Sequence, residues 1–221
     1  MRGLLNRNSL RRKLPVTVVD LWFATLADND FSLQQVLSPD ETRRALRFRF
    51  DRDAAMFVAR RGLLRLILAR YTGLRPSQLS FTYNHFGKPA FNGCFYHVRF
   101  SLSQSGNLAV YAVARHRDIG VDLEQFRQGS LEISTIAASL FAEEQNAALN
   151  DTPAERKEEA FLRLWTELEA QGKACGIGIG ALNPAGGIFH GQCFRLTRLV
   201  PSPGYVLSLA VQGRRRCSLQ Q

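Results

Sequence analysis

Two carboxylates stand two residues apart in a run that otherwise has the character of a buried β-strand, Ile119-Gly120-Val121-Asp122-Leu123-Glu124. Because successive side chains of a strand alternate between its faces, Val121 and Leu123 are expected to point into a core. Asp122 and Glu124 then share the opposite face, where their charges repel each other unless a cation, a proton or a hydrogen-bond network compensates. The run indicates either a metal site or, with no function attached, the end of a strand that enters solvent.

The composition is that of an ordinary globular protein with an excess of positive charge. Of 221 residues, 45% are hydrophobic and 22% are charged, which suits one large domain or two small, tightly joined ones. Lys and Arg number 29 against 19 Asp and Glu, a formal net charge of +10. Anionic partners or substrates are therefore expected, and polyphosphate, nucleic acid, an acidic protein and a membrane surface are all open.

The sequence predicts neither a membrane span nor a disulfide framework. The longest early apolar run, residues 16–26, is interrupted by Asp20 and is too short to cross a bilayer, and no convincing small-residue cleavage site follows. The cysteines are far apart and lack C-x-x-C spacing, at Cys94, Cys175, Cys193 and Cys217. We expect a cytoplasmic protein whose cysteines are reduced.

The order of the predicted elements suggests an internal repeat of architecture. Helices followed by strands occur twice, which predicts an α+β fold of two similar α/β halves, residues 16–116 and 117–213. A basic arm precedes them at residues 1–15, and a basic tail follows at residues 214–221. Sequence identity between the halves is not apparent, so the repeat is inferred from element order alone.

The first half begins with a strand and two helices. Residues 18–25 are typical of a strand, and Ser38 followed by Pro39 is a strong helix start. A second helix is predicted at residues 51–71, ending near Gly73. Its arginines indicate mainly a solvated face, at Arg52, Arg60, Arg61, Arg65 and Arg70. Further strands are predicted at residues 79–83, 96–102, 108–114, 119–123, 193–199 and 205–211, and helices at 131–149 and 154–172.

A second acidic motif lies on the last of these helices, just over forty residues after Asp122. An apolar stripe runs along it at helical spacing, with Phe161, Leu164, Trp165 and Leu168. Glu169 and Lys173 lie one turn apart beside the stripe. Taken alone, that pair is equally typical of an exposed salt bridge, which contributes little.

The two acidic motifs together resemble the Sfp-type 4′-phosphopantetheinyl transferases. That family has a G-x-D strand, with Ile or Val in the middle, followed at this distance by W-S/T-x-K-E-A/S-x-x-K. Here the second motif is Trp165-Thr166-Glu167-Leu168-Glu169-Ala170-Gln171-Gly172-Lys173. Three further stretches match in the family's order: Ala59 to Arg65, Phe86-Gly87-Lys88-Pro89, and Phe100 to Gly106. Ordered matches at correct spacing are far more specific than any one of them.

The resemblance implies a fold, a reaction and partners. The expected fold is two α/β halves related by pseudo-twofold symmetry. The expected enzyme is a holo-[acyl-carrier-protein] synthase, which transfers 4′-phosphopantetheine from coenzyme A to a serine of an apo acyl, polyketide or peptidyl carrier protein. The second product is 3′,5′-ADP, and the reaction needs Mg²⁺. We expect a monomer that binds neither nucleic acid nor membrane.

The resemblance also assigns roles to individual residues. Mg²⁺ would be held by Asp122, Glu124 and Glu169, which are the oxygen ligands that this ion prefers. Glu169 would also take the serine proton, and Lys173 would hold the pyrophosphate. Coenzyme A would be contacted by Arg60, Lys88, Ser103, Gln104 and Lys173. By themselves, Lys88 and Ser103 are also typical of ordinary turn residues.

The chain departs from the family pattern at three positions. Gln104 stands where the family usually has histidine, Leu168 where it has lysine and Ser101 where it has asparagine. The first two changes remove cationic contacts, so we expect weaker coenzyme A binding or slower turnover. They leave open a degenerate member that binds without catalysis. A basic nucleic-acid-binding protein is a further alternative, but no recognition motif supports it.

Overall fold

The computed structural model describes residues 18–27, 31–126, 133–178, 193–213 and 218–220, and it mixes helices and strands as predicted. The helices are α1 (Pro39–Ala45), α2 (Asp51–Thr72), α3 (Ile133–Leu140), α4 (Glu143–Asn150) and α5 (Ala154–Cys175). The strands are β1 (Val18–Thr25), β2 (Thr82–Tyr83), β3 (Pro89–Ala90), β4 (Val98–Ser105), β5 (Leu108–Arg115), β6 (Ile119–Gln125), β7 (Phe194–Leu199), β8 (Tyr205–Gln212) and β9 (Ser218–Gln220). None of the described helices is long and apolar enough to span a membrane.

Contacts divide the described residues into two compact units. One contains residues from 25 to 81, with α1 and α2; the other contains residues 18–24 and those from 82 onward, with all the sheets. This division follows tertiary packing, whereas the predicted halves, 16–116 and 117–213, follow element order along the chain. The halves stay a prediction of repeated architecture.

The first unit confirms the predicted helix boundaries. Ser38 caps α1: its Oγ accepts from the Glu41 amide at 3.3 Å, while the Glu41 carboxylate accepts from the Ser38 amide at 3.1 Å. This reciprocal capping box explains why the chain turns helical there. Helix α2 ends at Gly73, whose φ of 75° is left-handed and is readily adopted only by glycine.

Two arginines of α2 contradict the expected solvated face. Arg61 and Arg65 are 8% and 2% exposed and both pair with Glu41, with guanidinium-to-carboxylate distances of 2.5 Å. Arg65 also donates to the carbonyls of Pro76 and Leu79 at 2.8 and 2.9 Å. A guanidinium has five donors, so a buried acceptor set of this kind can satisfy it. Charge spacing along α2 could not reveal that Glu41 of α1 would supply the partner.

The second unit is organised around two sheets. One has the strand order β4-β5-β1-β9 and the other β6-β8-β7, while β2 and β3 form a small antiparallel pair of their own. Strand β6 pairs antiparallel with β8 so that Asp122 lies opposite Ser208. Side chains from β1, β5, β6 and β8 share one core, including Val19, Val110, Val121 and Leu207.

Several predicted elements differ in extent from the observed ones. The strand expected at 79–83 shrinks to β2, and the helix expected at 131–149 divides into α3 and α4 on either side of Phe141 and Ala142, with residues 131–132 outside the described part. The predicted basic tail contains β9, which pairs in parallel with β1 from Val18 to Asp20. A three-residue strand is too short for periodicity to reveal. The arm, the tail arginines and most of the glycine-rich stretch lie outside the described residues.

Candidate active site

The strand that carries the carboxylates is buried on both faces. Val121 and Leu123 have no solvent exposure, which confirms their predicted place in the core. Asp122 is only 3% exposed on the opposite face, and Glu124 is half-buried. A buried carboxylate requires compensation, because transfer of its charge out of water is costly. The alternative of a strand end entering solvent is therefore excluded for Asp122.

The compensation comes from α5 and from β4. The Lys173 ammonium lies 2.5 Å from Asp122 Oδ1 and also donates to Ser103 Oγ at 3.2 Å. Ser103 in turn donates to the same Asp122 oxygen at 2.9 Å. Lys173 of α5 therefore forms its ion pair with Asp122 of the sheet. The exposed salt bridge with Glu169, which the one-turn spacing of the two residues allowed, is not what the structure shows.

A row of serine hydroxyls joins β4 to β6. Ser101, Ser103 and Ser105 share one face of β4 because they alternate along the strand. Ser101 Oγ accepts from the Val121 amide at 3.1 Å, and Ser105 Oγ donates to Glu124 at 2.8 Å. With Ser103 on Asp122, each acidic side chain of β6 is held by one hydroxyl. These hydrogen bonds fix the direction of both carboxylates.

The approach of α5 to β6 depends on Gly120. A Cβ atom at that position would lie 1.9 Å from the Ala170 carbonyl oxygen and 2.5 Å from the Ala174 amide nitrogen. Only a residue without a side chain lets the helix backbone come so close to the strand. The small residues of α5 on this side, Ala170 and Ala174, are buried against it. Gly120 therefore allows Glu169 and Lys173 to reach Asp122.

Glu169 is a carboxylate with an unfavourable electrostatic environment. Burial is the main cause that raises its pKa above the ordinary 4.5, Lys173 partly opposes the shift, and the charges of Asp122 and Glu124 add to it. The charges of Asp122 and Glu124 therefore both interact with that of Glu169. A carboxylate whose pKa is raised in this way holds a proton more tightly than an exposed one, which is the property expected of a general base.

The same residues offer some, but not all, features of a cation site. Asp122 Oδ2 is buried and accepts no hydrogen bond within the described part of the chain. Together with Glu124 and Glu169 it provides the hard oxygen donors that suit Mg²⁺. However, no three His, Cys, Asp or Glu side chains of the described residues stand close enough together to form a ready metal-binding cluster. The donor set fits the ion chemically, and Lys173 supplies positive charge to Asp122.

A cavity of about 460 Å³ opens beside these groups. One wall is the turn between β2 and β3, and another is the end of α5 with the residues that follow it. Strand β4 forms its floor. The lining residues are Phe86, Gly87, Lys88, Pro89, Phe100, Ser101, Leu102, Glu169, Lys173, Gly176, Ile177 and Gly178. The cavity thus combines apolar side chains with one acid and two amines.

Of the other residues predicted to bind coenzyme A, Lys88 and Gln104 donate hydrogen bonds to backbone carbonyls. The Lys88 ammonium donates to the Ala174 carbonyl at 2.9 Å and lies 3.4 Å from that of Ile119, and burial lowers the pKa of this amine. Gln104 donates to the Gly106 carbonyl at 3.1 Å in the β4–β5 turn. Arg60 lies half-buried on α2, in the other compact unit.

Sequence reasoning missed several residues of the site. Asn84, Ser105 and Gly120 make contacts that position the predicted groups, although the sequence assigns them no role there. The alternation Ser101-x-Ser103-x-Ser105 is an available signal, because the same period of two places Asp122 and Glu124 on one face. Leu168, which replaces the family's lysine, packs against the apolar cluster around Phe161 as predicted.

Comparison with known proteins identifies the family. Residues 118–195 match the model of the 4′-phosphopantetheinyl transferase superfamily, and residues 21–116 match that of the 4′-phosphopantetheinyl transferase N-terminal region. These regions meet where the two predicted halves meet. The chain is 37% identical over 209 residues to 4′-phosphopantetheinyl transferase HetI of Nostoc sp. (strain PCC 7120), covering 88% of each protein.

Other relatives are similar over a shorter stretch. A putative 4′-phosphopantetheinyl transferase of Synechocystis sp. is 34% identical over 68% of this chain and 61% of its own length. 4′-Phosphopantetheinyl transferase Sfp of Bacillus subtilis (strain 168) is 27% identical over 65% of this chain and 62% of its own length. On these matches, the chain belongs to the 4′-phosphopantetheinyl transferase superfamily.

Proposed function

We propose that this enzyme transfers 4′-phosphopantetheine from coenzyme A to a serine of an apo carrier protein, with Mg²⁺ as cofactor and 3′,5′-ADP as the second product. The observation that carries the proposal is the ion pair between buried Asp122 and half-buried Lys173, with Glu169 nearby at the wall of a cavity. Breaking a pyrophosphate requires neutralisation of charge and correct positioning more than covalent help. An amine and three carboxylates on one strand and one helix suit that need.

The residues divide the chemical step among them. The carrier serine oxygen forms a bond to the phosphorus that bears pantetheine, while the bond from that phosphorus to the leaving ADP oxygen breaks. Glu169 takes the serine proton, directly or through water, and its raised pKa suits that role. Lys173 binds the pyrophosphate and stabilises the charge that develops on the leaving group. Asp122, Glu124 and Glu169 would hold Mg²⁺, which supplies further charge neutralisation.

The remaining predicted contacts concern coenzyme A. We assign Lys88, Arg60, Ser103 and Gln104 to this substrate on the family pattern. Lys88 lines the cavity, and Ser103 lies next to the acidic side chains beside it, which supports the assignment. The Lys88 amine donates to carbonyls of α5 and β6, so it would have to exchange them for a phosphate. Gln104 offers an uncharged amide where a histidine is usual, so coenzyme A binding is expected to be weaker.

The carrier protein is proposed to meet a basic surface. Arg43, Arg44 and Arg47 line a groove at the end of α1 together with Phe48 and with Asp40, which pairs with Arg43. Acidic carrier proteins are attracted to such a surface by long-range electrostatics. The three described cysteines, Cys94, Cys175 and Cys193, are free thiols, which suits the proposed cytoplasmic location. We also propose that the enzyme is a monomer.

Intact-protein mass spectrometry tests the proposal directly. The enzyme is incubated with coenzyme A, Mg²⁺ and a panel of apo carriers from fatty-acid, polyketide and peptide synthesis. The expected result is a gain of one phosphopantetheine group on at least one carrier, lost when Lys173 is replaced by alanine. A panel with no mass gain would reject transfer in favour of binding alone.

The departures from the family pattern give that outcome a follow-up. Restoring Gln104→His and Leu168→Lys would recover transfer if these two positions caused its loss. A gel shift with random DNA at low salt tests the nucleic-acid alternative. A nucleic-acid-binding protein should retard the DNA, whereas an enzyme that acts on carriers should bind it only weakly and lose that binding as salt rises.

A further inference from the structure

Asn84 builds the turn that forms one wall of the cavity. Its side-chain Oδ1 accepts from the amides of Phe86 and Lys88 at 3.0 and 2.9 Å. Its backbone amide donates to the Lys88 carbonyl at 3.1 Å, and its carbonyl accepts from the Gly87 amide at 2.9 Å. An asparagine that closes a turn onto its own backbone is common. These four contacts fix the Phe86–Pro89 wall.

The rest of the Asn84 side chain does something that a turn does not need. Its Nδ2 donates to the Gly176 carbonyl at 2.5 Å, 92 residues along the chain. Gly176 caps α5 with a φ of 75°, and a Cβ there would lie 2.7 Å from Asn84 Nδ2. The left-handed φ favours glycine, and the added Cβ would crowd the Asn84 side-chain amide, so the end of α5 lies close against that side chain. Lys88 reinforces the link by donating to the Ala174 carbonyl of the same helix end.

The two segments that Asn84 joins both line the cavity. Phe86 to Pro89 form one part of the lining and Gly176 to Gly178 a part in contact with it, while α5 carries Glu169 and Lys173 in its last two turns. We propose that Asn84 is a positioning residue that sets the width of this cavity, and with it the affinity for coenzyme A. The ligand's identity rests on the proposed function, but the link between the walls does not.

Two substitutions separate the two uses of Asn84. Asn84→Asp keeps an oxygen for the Phe86 and Lys88 amides but replaces the donor to Gly176 with an acceptor that repels the carbonyl. Asn84→Ala removes both uses. Asn92→Ala is the matched control, since Asn92 is exposed on the same segment and its side chain accepts from Thr82 at 3.3 Å.

Steady-state kinetics and hydrogen exchange together decide the matter. For Asn84→Asp we expect the KM for coenzyme A to rise about tenfold, with kcat and the KM for the carrier within about twofold of wild type. Amide exchange in the ligand-free protein should increase at residues 174–178 but not at 86–88. Asn84→Ala should accelerate exchange at both segments, and Asn92→Ala should change neither exchange nor KM.

The outcomes distinguish this inference from the proposed function. If wild-type enzyme binds coenzyme A and Asn84→Asp binds it equally well, the positioning role is wrong while the function stands. If wild type does not bind coenzyme A but exchange responds as described, the link between the walls is upheld and the function is rejected. Unchanged exchange at 174–178 in Asn84→Asp would overturn the inference whatever the kinetics, and a fall in kcat and Tm without a KM change would reduce Asn84 to a folding role.

Discussion

Folding places Glu169 in an environment that disfavours the ionised form of its carboxyl group. Burial disfavours its charged form, and Asp122 and Glu124 add repulsion that Lys173 offsets in part, so the pKa is raised. The unfolded chain loses this proton near pH 4.5, whereas the folded chain keeps it to higher pH. Folded-state stability therefore falls as the pH rises from the ordinary value through the raised one.

Replacing Glu169 with glutamine should separate stability from activity. Glu169→Gln cannot ionise, so its melting temperature at a pH well above the ordinary 4.5 should be higher than that of wild type. Transfer should fall by about 10²- to 10⁴-fold because the proton acceptor is lost. Thermal melts across pH and the intact-mass assay measure the two effects. Glu159→Gln, which breaks only an exposed pair with Arg163, should change neither; a lower Tm in Glu169→Gln would contradict the electrostatic account.

At the residue scale, the sequence predicted where the acidic side chains lie better than it predicted the contacts that hold them. Alternation along the strand placed Asp122 and Glu124 on one face and the family motif supplied Glu169 and Lys173. The partner of Lys173 was not predictable from spacing along α5, because Asp122 reaches it from a strand 51 residues away. The Asn84 link is equally nonlocal, and no local pattern encodes such a contact.

Helix α5 and strand β6 form the element pair on which the site depends. Their close approach rests on Gly120 at the strand and on Ala170 and Ala174 at the helix. A second anchor lies near the middle of the helix, where the buried hydroxyls of Thr166 and Ser208 are 2.8 Å apart. Ser208 is the residue opposite Asp122, so the anchor and the site share one level of the sheet.

Adding one methyl group at Gly120 should displace the whole helix. In Gly120→Ala the new Cβ would overlap the Ala170 carbonyl, which must move. We expect the free energy of unfolding to fall by about 1–3 kcal/mol. The rate of transfer should fall by a larger fraction than the free energy of unfolding does. Urea titration and the mass assay measure these quantities.

Gly204→Ala is the control for glycine replacement as such. Gly204 has a φ of 81°, and a Cβ added there would have no atom within 4 Å, so the change strains the backbone without a clash. It should cost about 1 kcal/mol of stability and leave transfer intact. Full activity in Gly120→Ala would show that the close approach is not needed for catalysis.

Element boundaries could be predicted where a local signal exists. The helix start at Ser38 needs a capping side chain and the helix end at Gly73 needs a left-handed backbone, and both needs are visible in the residue types themselves. Strand β9 has no such signal, since three residues acquire their conformation only by pairing with β1. The burial of Arg61 and Arg65 likewise depends on a carboxylate from another helix, so a spacing rule misassigned them.

The whole molecule carries a net charge of +10, and part of that charge lines the groove at Arg43, Arg44 and Arg47. The charge run along α2 predicts that Arg65 lies on a solvated face, where it could contact a carrier as Arg47 could. Arg65 is instead buried against Glu41, so its reversal would test folding. Arg47 is exposed and is the proper position for a charge reversal.

Arg47→Glu should weaken carrier binding in a salt-dependent way. We expect the KM for the carrier to rise several-fold at low ionic strength, and the effect to shrink as salt shortens the range of the field to about 10 Å at 0.1 M. Arg75→Glu changes the net charge equally at an exposed position outside the groove. Equal effects of the two reversals would assign the result to total charge and remove the groove from the account.

Asp122 offers the most direct test of the central claim, because it joins the strand, the helix lysine and the proposed cation. Asp122→Asn preserves shape and can still accept from Lys173, but it loses the charge. The measurement is the rate of phosphopantetheine transfer by intact mass across a Mg²⁺ titration, with the melting curve as a check on folding. The account predicts a folded variant whose transfer falls at least about 10³-fold and is not restored at saturating Mg²⁺. Transfer at the wild-type rate would contradict it.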